Sequence, residues 1–164
     1  MKAVYKREKE MRDFGSLKIM EQGIEIISTA HHLTNEYVQS DIAGLIKEIN
    51  LLAIQIPSNV AASSGDEELG AYEDGLKRAL SSVKNIESKL IDVVEVEATT
   101  HPLNRLKQLV NKEEELIAHA LSHTKLRKQN KPLKRSRLSV VSGETRPAMP
   151  KIKVTQGLQV ELFS

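Results

Sequence analysis

The feature that most constrains the fold of this chain is an apolar stripe that continues past a proline. Its members recur every three or four residues, the spacing of one face of an α-helix: Leu45, Ile49, Leu52, Ile56 and Val60. Pro57 falls inside the stripe, and a proline within a helix removes one backbone hydrogen bond and bends the axis. A helix bent in this way needs neighbours that hold it. Residues 49–65 are therefore predicted to form the kinked, buried centre of a helical bundle.

Three further segments have helical periodicity, so four helices are expected. The first is predicted to begin with Ser16 as N-cap and to end near Asn35. Its expected inner face is Leu17, Met20, Ile24, Ile27 and Ala30. The second is predicted to run from Tyr37 or Ser40 to Ala62.

The third and fourth helices have the most regular spacing. Acidic residues 66–68 suit the positive end of the third helix, whose expected stripe is Leu69, Tyr72, Leu76, Ala79, Val83, Ile86, Leu90 and Val94. The fourth is expected to start with Thr100 as cap and Pro102 in its first turn, and to fray between Thr124 and Lys131. Its expected face is Leu103, Leu106, Val110, Ile117 and Leu121. Four amphipathic helices with short connections predict an all-α, up-down four-helix bundle.

Composition agrees with this fold class. Aromatic residues make up 3% of the chain and there is no Trp, so the core must be built from aliphatic side chains. The absence of Cys excludes disulfides and thiolate metal sites and gives no sign of secretion. The chain shows neither a signal-peptide pattern nor an apolar run of membrane-spanning length. We therefore expect a cytoplasmic protein that does not enter a membrane.

Charge divides the chain into an acidic body and a basic tail. Residues 1–124 carry 14 Lys and Arg against 20 Asp and Glu, whereas residues 125–153 carry 10 against one. Pro, Gly and polar residues replace the helical pattern in the tail. The predicted organisation is a charged leader at 1–12, the four-helix bundle at 13–127, and an extended basic tail at 128–164. A polyanion should meet the tail first.

Short motifs in the body resemble the bacterial four-helix-bundle family. This family includes proteins encoded in rRNA intervening sequences and the accessory variability determinants of diversity-generating retroelements. The resemblance covers residues 13–125 and rests on Asp13, Phe14 and Leu17, on residues 79–83, and above all on the run Ile56-Pro57-Ser58-Asn59-Val60-Ala61. The chain departs from the family pattern at Met20, at Asn50-Leu51 and at Ala62-Ser63.

The resemblance implies a non-enzymatic helical protomer that assembles into a ring, often a homopentamer. In the retroelement branch, such a ring binds a reverse transcriptase and its template RNA. The family commonly has a pair of arginines where this chain has Asn50 and Leu51. A basic nucleic-acid face is therefore not expected on the bundle itself, and the acidic excess of residues 1–124 agrees with this expectation.

The basic block is the main candidate for binding nucleic acid. It contains seven cations within thirteen residues: Lys125, Arg127, Lys128, Lys131, Lys134, Arg135 and Arg137. Such a block can neutralise several phosphates of RNA or DNA without reading sequence. No aromatic residue is interleaved to stack on a base, so base-specific recognition is not expected. The alternative is a solubilising tail.

The C-terminus carries a candidate docking peptide. Gln159, Leu162 and Phe163 resemble the short peptide with which bacterial DNA polymerases and repair proteins bind the replicative sliding clamp. The resemblance implies that the Gln hydrogen-bonds in one subpocket and that the Leu-Phe pair fills an apolar one. The alternative is that these apolar residues fold back on the bundle or on a neighbouring subunit.

Other candidate sites have simpler structural explanations. Glu115, His119 and His123 share one helix face at metal-ligand spacing, but an edge His pair is more often structural, as is the pair His31-His32. We predict no metal and no cofactor.

Two further features of the helices are expected to be structural. Ser58 and Asn59 lack the surroundings of a catalytic nucleophile and are expected to satisfy backbone groups freed by Pro57. Gly23, Gly44 and Gly75 are expected to mark close helix contacts, since a glycine inside a helix costs about 1 kcal/mol relative to Ala.

The leading hypothesis is a non-enzymatic, oligomeric scaffold that binds RNA or cDNA and a reverse transcriptase, with a possible tether to the sliding clamp. The alternative is a protein-interaction module of the intervening-sequence type with no nucleic-acid role.

Overall fold

The computed structural model describes residues 2–64, 68–97 and 100–130. Its four helices are α1 (Lys2–Glu36), α2 (Ala43–Ser64), α3 (Leu69–Val96) and α4 (His101–Asn130). All regular secondary structure in these three stretches is helical, which confirms the all-α prediction. The chain divides into a compact unit, Met1–Gln129, and a remainder, Asn130–Ser164, of which only Asn130 is described.

The helices pack as an up-down bundle. α2 packs against both α1 and α3, and the α2–α3 pair is antiparallel. Ser82 Oγ donates to Gln55 Oε1 at 3.2 Å, and further along, Lys89 forms an ion pair with Glu48. As the α3 residue number rises, that of its α2 partner falls, so consecutive helices run in opposite directions.

The fourth helix closes the bundle by contacting both α1 and α3. Arg105 Nη2 lies 3.1 Å from Glu25 Oε1 of α1, and Lys84 Nζ of α3 lies 3.4 Å from Glu114 Oε1. Each helix therefore has two neighbours, as the up-down topology requires.

The core is aliphatic, as composition predicted. The largest fully buried side chains come from all four helices and from the α1–α2 connection: Ile19, Ile26, Leu33, Ile42, Ile46, Ile49, Ile56, Leu76, Ile86, Leu103, Leu106 and Ile117. The predicted face of α4 is buried throughout. The predicted stripe of α3 is buried from Tyr72 to Leu90, but Val94 is exposed and Val93 takes its place.

The first helix differs most from the sequence-based expectation. α1 begins at Lys2, so residues 2–12 belong to this helix and Ser16 is a buried interior residue rather than an N-cap. Leu17 and Ile24, expected inside, are 49% and 60% exposed. The reason is rotational. Gly23 must face α2, and the next residue on a helix is turned by about 100°, which points Ile24 outward.

The second helix continues through Pro57 to Ser64. It begins later than predicted because residues 37–42 form a turn, in which the Ser40 amide donates to the Tyr37 carbonyl at 3.0 Å. Ser58 Oγ donates to the carbonyl of Ile54 at 2.8 Å. The carbonyl that loses its amide partner at Pro57 is that of Ala53, four residues earlier. The prediction that Ser58 satisfies this freed group is therefore wrong, because its hydroxyl bonds to Ile54 instead.

Glycines mark close contacts on both sides of the proline segment. A Cβ placed on Gly23 would lie 3.1 Å from Cδ of Pro57, and one on Gly75 would meet the side chain of Ser63 and the carbonyl oxygen of Asn59, the latter at 2.9 Å. The prediction is confirmed for these two glycines. It is wrong for Gly44, which has no neighbour within 4 Å of such a Cβ.

The helix starts agree in part with expectation. Glu68 precedes α3 but makes no side-chain cap bond, and residues 65–67 lie outside the described part. Thr100 directly precedes α4, and its carbonyl accepts the Asn104 amide at 3.0 Å. Thr100 Oγ1 also hydrogen-bonds with Tyr37 Oη at 3.1 Å, which joins two connections at one end of the bundle.

One ionisable side chain lies entirely within the core. Glu113 of α4 has no exposed surface, and neither carboxyl oxygen has a hydrogen-bond partner within the described residues. Burial raises the pKa of this carboxyl to about 8, although nearby Lys112 opposes the shift. Glu113 is therefore protonated at neutral pH, because a buried charge without a partner is costly.

Candidate functional site

The described part of the basic block occupies the last turns of α4. Lys125 is exposed, Arg127 is half-buried, and Lys128 forms an ion pair with Glu73 of α3. The remaining predicted cations lie outside the described residues: Lys131, Lys134, Arg135 and Arg137. The block therefore starts on the bundle itself rather than beyond it.

Glu73 anchors one of these cations to the bundle. Its side chain is only 8% exposed and contacts both Lys128 and Lys77, the latter at 2.7 Å. Hydrogen bonds from Lys128 and Lys77 lower the pKa of Glu73 to about 2. Lys128 consequently has an acidic partner in the bundle, which the sequence pattern did not reveal.

A cleft of about 540 Å³ lies between the first half of α1 and the second half of α4. Four of its lining residues are cationic, namely Arg7, Arg12 and Lys18 from α1 and Arg127 from α4. Only Arg127 was predicted as a site residue. The others were missed because they are more than 100 positions away along the chain, and only helix packing brings them together.

The cleft also supplies an aromatic residue that the linear basic block lacks. Phe14 lines the cleft and is 59% exposed. Lys18 Nζ lies 4.8 Å from the centroid of the Phe14 ring, within the range of a cation–π contact. An exposed aromatic beside several cations is a combination that suits a nucleotide.

Tyr72 of α3 also lines the cleft and is fixed by its neighbours. Ser16 Oγ lies 3.0 Å from Tyr72 Oη and 2.9 Å from the carbonyl oxygen of Arg12. The Arg12 guanidinium carbon lies 5.6 Å from the centroid of the Tyr72 ring. Burial raises the pKa of the Tyr72 phenol, while hydrogen bonding to Ser16 and the charges of Arg12 and Arg127 oppose that shift.

The histidine pair on α4 lines the cleft as well. His119 Nε2 and His123 Nε2 are 3.2 Å apart, and the two rings meet edge to face. The third candidate ligand, Glu115, is exposed. Among the side chains that the structure describes, no group of three or more His, Asp or Glu converges to hold a metal. The possible three-ligand arrangement on α4 is therefore not formed.

The signature residues are placed for packing. Ile56 is fully buried, Pro57 and Asn59 are half-buried, and Ser58 is exposed with its hydroxyl bonded to the backbone. The predicted docking residues lie outside the described part of the chain: Gln159, Leu162 and Phe163.

Several aliphatic side chains on the outside of α1 and α2 remain in contact with solvent. Leu17 and Ile24 of α1, already noted, are joined by Leu51 and Ile54 of α2, which are 63% and 45% exposed. Leu51 stands at a position where the family resemblance leads one to expect arginine. We refer to these four residues as the outer apolar residues.

No protein-family model, curated protein or solved structure matches this chain. The family resemblance therefore rests on its short motifs alone. A search of the described helices finds none whose length and apolar character would suit it to crossing a bilayer.

Proposed function

We propose that this chain is a non-enzymatic, cytoplasmic protomer of an oligomeric scaffold that binds single-stranded RNA or cDNA. The observation that carries the proposal is the cleft, in which Arg7, Arg12 and Lys18 join Arg127 at the start of the basic block. The most concrete version, by resemblance, is the accessory protein of a diversity-generating retroelement. Its partner would then be a reverse transcriptase.

Electrostatics favour one end of the bundle as the point of contact. Residues 1–124 carry an excess of acidic residues, which repels a polyanion from most of the surface. The cleft and the described cations of the basic block, Lys125, Arg127 and Lys128, lie where the first half of α1 meets the end of α4. Phosphates attracted to the block thus reach a site that also offers apolar surface.

The outer apolar residues support self-association. Exposed aliphatic side chains on neighbouring helices are costly in water unless a partner covers them. A second copy of the same bundle is the partner that the ring-forming family implies, with a pentamer as the expected size.

Salt dependence tests the nucleic-acid proposal. Binding of a fluorescein-labelled octauridylate should weaken steeply as salt increases, because each neutralised phosphate releases counterions. The slope is that of the logarithm of the binding constant against the logarithm of the salt concentration. Replacing Lys131, Lys134, Arg135 and Arg137 by Gln in the full chain should lower it by about 0.7 per lost phosphate contact. A matched control makes the same charge change at four exposed cations of the bundle: Lys47, Arg78, Lys107 and Lys112. An equal fall of the slope in both variants, or no binding of the oligonucleotide by the wild type, would contradict the proposal.

The partners can be tested by co-precipitation. A reverse transcriptase encoded beside this chain should be retained by it together with template RNA. For the sliding clamp, Gln159→Ala, Leu162→Ala and Phe163→Ala combined should abolish retention. If the wild-type chain does not retain the clamp, the docking peptide has no such role.

A protein-interaction module without a nucleic-acid role is the second candidate. The outer apolar residues favour it because exposed aliphatic side chains suit a protein contact. The pairing of Lys128 with Glu73 also favours it, because this cation of the basic block already has an acidic partner. Self-association without salt-sensitive RNA binding would support this alternative.

A further inference from the structure

We propose that the α1–α4 cleft is a subsite for one unpaired nucleotide, with its base against Phe14 and its phosphate among Arg7, Arg12 and Lys18. This inference rests on the proposed function and deepens it, because it assigns a local contact to a protein otherwise expected to hold nucleic acid by charge alone. The chemistry is that of a nucleoside 5′-phosphate, supplied either by a single strand or as a free nucleotide.

The apolar half of the subsite suits a base. Phe14 and Met11 are each 59% exposed and line the cleft, so their side chains are available to a ligand. Leu116 and Ala120 continue the apolar lining from α4. Stacking on an aromatic ring requires a base with a free face, which a single strand offers and a duplex does not.

The polar half suits a phosphate. Arg7 and Lys18 are exposed on α1, and Arg12 lines the cleft as well. An arginine fork binds phosphate oxygens through paired N–H donors. Glu10 lies on the same wall and can accept a hydrogen bond from a base amino group or a ribose hydroxyl.

The size of the cleft agrees with this occupant. Its volume of about 540 Å³ falls within the range of roughly 300–1,000 Å³ typical of small-molecule sites. The basic block starts at Lys125, two positions before the lining residue Arg127, so this part of α4 offers cations next to the cleft.

A tryptophan reporter tests the base contact directly. The chain has no Trp, so Phe14→Trp introduces a single indole into the full-length protein. Its emission should be quenched when octauridylate or octaadenylate binds. Val38→Trp is the matched control, because Val38 is also 59% exposed but lies in the α1–α2 connection, outside the cleft lining. Quenching of both reporters to the same extent, or of neither, would overturn the proposal.

Affinity and salt dependence separate the two halves of the subsite. Phe14→Ala should weaken octauridylate binding roughly tenfold, the effect of losing one stacked base, while leaving the salt slope unchanged. Arg7→Gln and Lys18→Gln combined should lower the slope by about 0.7, because the two cations neutralise the same phosphate. Val38→Ala should change neither quantity. Circular dichroism of every variant checks that the helices are retained.

The source of the nucleotide is decided by a second arm with mononucleotides. Quenching of the Phe14→Trp reporter by uridine or adenosine monophosphate at the affinity of the octamers would assign the cleft to free nucleotides. Quenching by the octamers alone would assign it to a strand. A blunt duplex of equal length should not quench.

The failure of this inference is distinguishable from the failure of the proposed function. If the wild type binds octauridylate with a steep salt slope but no cleft variant alters binding, the subsite is wrong and the scaffold proposal stands. If the wild type binds neither oligonucleotide nor mononucleotide, both are wrong. Binding of mononucleotide but not of any strand would support the cleft and contradict the scaffold.

Discussion

Gly23 of α1 lies directly against the ring of Pro57 of α2, and a Cβ at Gly23 would approach Cδ of that ring to 3.1 Å. The proline ring is rigid and held within a helix, so it cannot give way as a flexible side chain would. The small residue on α1 is therefore what allows α2 to carry a proline in the bundle centre.

Gly23→Ala should destabilise the bundle by about 1 kcal/mol. Overpacking in a core costs about 1–3 kcal/mol, and the better helix propensity of Ala recovers up to about 1 kcal/mol. The midpoint of urea unfolding measures the difference. Gly15→Ala is the control within the same helix, since a Cβ there meets nothing within 4 Å. It should be neutral or stabilising, and equal effects of the two changes would contradict this account.

Gly75→Ala should be more damaging, with a loss of about 2 kcal/mol or more. The added methyl would overlap the side chain of Ser63 and lie 2.9 Å from the Asn59 carbonyl oxygen. Combining the change with Ser63→Gly should restore only part of the stability, because the carbonyl belongs to the backbone. Full recovery in the double variant, measured by the same urea titration, would show that the backbone contact is unimportant.

Glu113 should make the bundle less stable as pH rises. Its pKa is raised from 4.5 to about 8 in the folded state, so between these values the folded chain holds a proton that the unfolded chain has released. The contribution of Glu113 is fully present below pH 4.5 and declines by about 1.4 kcal/mol per pH unit up to about pH 8. Glu113→Gln should remove this decline, and its advantage over the wild type should grow with pH.

Thermal unfolding between pH 5 and 8.5 measures the effect of Glu113→Gln. Glu115→Gln is the control, since Glu115 is exposed on the same helix and should leave the pH dependence unchanged. A wild-type profile parallel to that of Glu113→Gln would show that the Glu113 carboxyl ionises freely in the folded protein.

Glu73 should make the bundle less stable as pH falls, and over a lower pH range than Glu113. Hydrogen bonds from Lys128 and Lys77 lower its pKa from 4.5 to about 2, so its contribution is present above pH 4.5 and is lost as pH falls toward 2. Lys128→Gln should raise the pKa of Glu73, which carbon NMR of the carboxyl group reports. Lys125→Gln, at an exposed position nearby on α4, should shift it much less. If both variants gave the same pKa, the contact with Lys128 would not matter in solution.

The outer apolar residues should govern assembly. Ile24→Ser together with Leu51→Ser should shift the protein toward the monomer. Both side chains are exposed on the single bundle, and replacing them by Ser removes the apolar surface that association would bury. Light scattering after size exclusion measures the mass. Ile91→Ser is a control of equal exposure on α3. Unchanged mass in the double variant would exclude this surface as the interface.

Much of the fold follows from the sequence because periodicity and composition act locally. The stripes of α3 and α4 were predicted almost residue by residue, since each carries one dominant apolar face. The proline segment was rightly placed at the bundle centre, because Ile56 and Val60 share a face that must be buried wherever the helix lies. The close packing of Gly23 and Gly75 was also foreseen.

What the sequence could not determine depends on contacts between distant segments. α1 carries apolar residues on two adjacent faces, so its rotation, and hence the exposure of Leu17 and Ile24, was decided by the need to place Gly23 opposite Pro57. The charged leader became part of a cleft only because α1 packs against α4 and brings Phe14 and Arg7 to the same groove as Arg127. Local spacing determines which elements form, whereas tertiary packing decides which of their side chains meet.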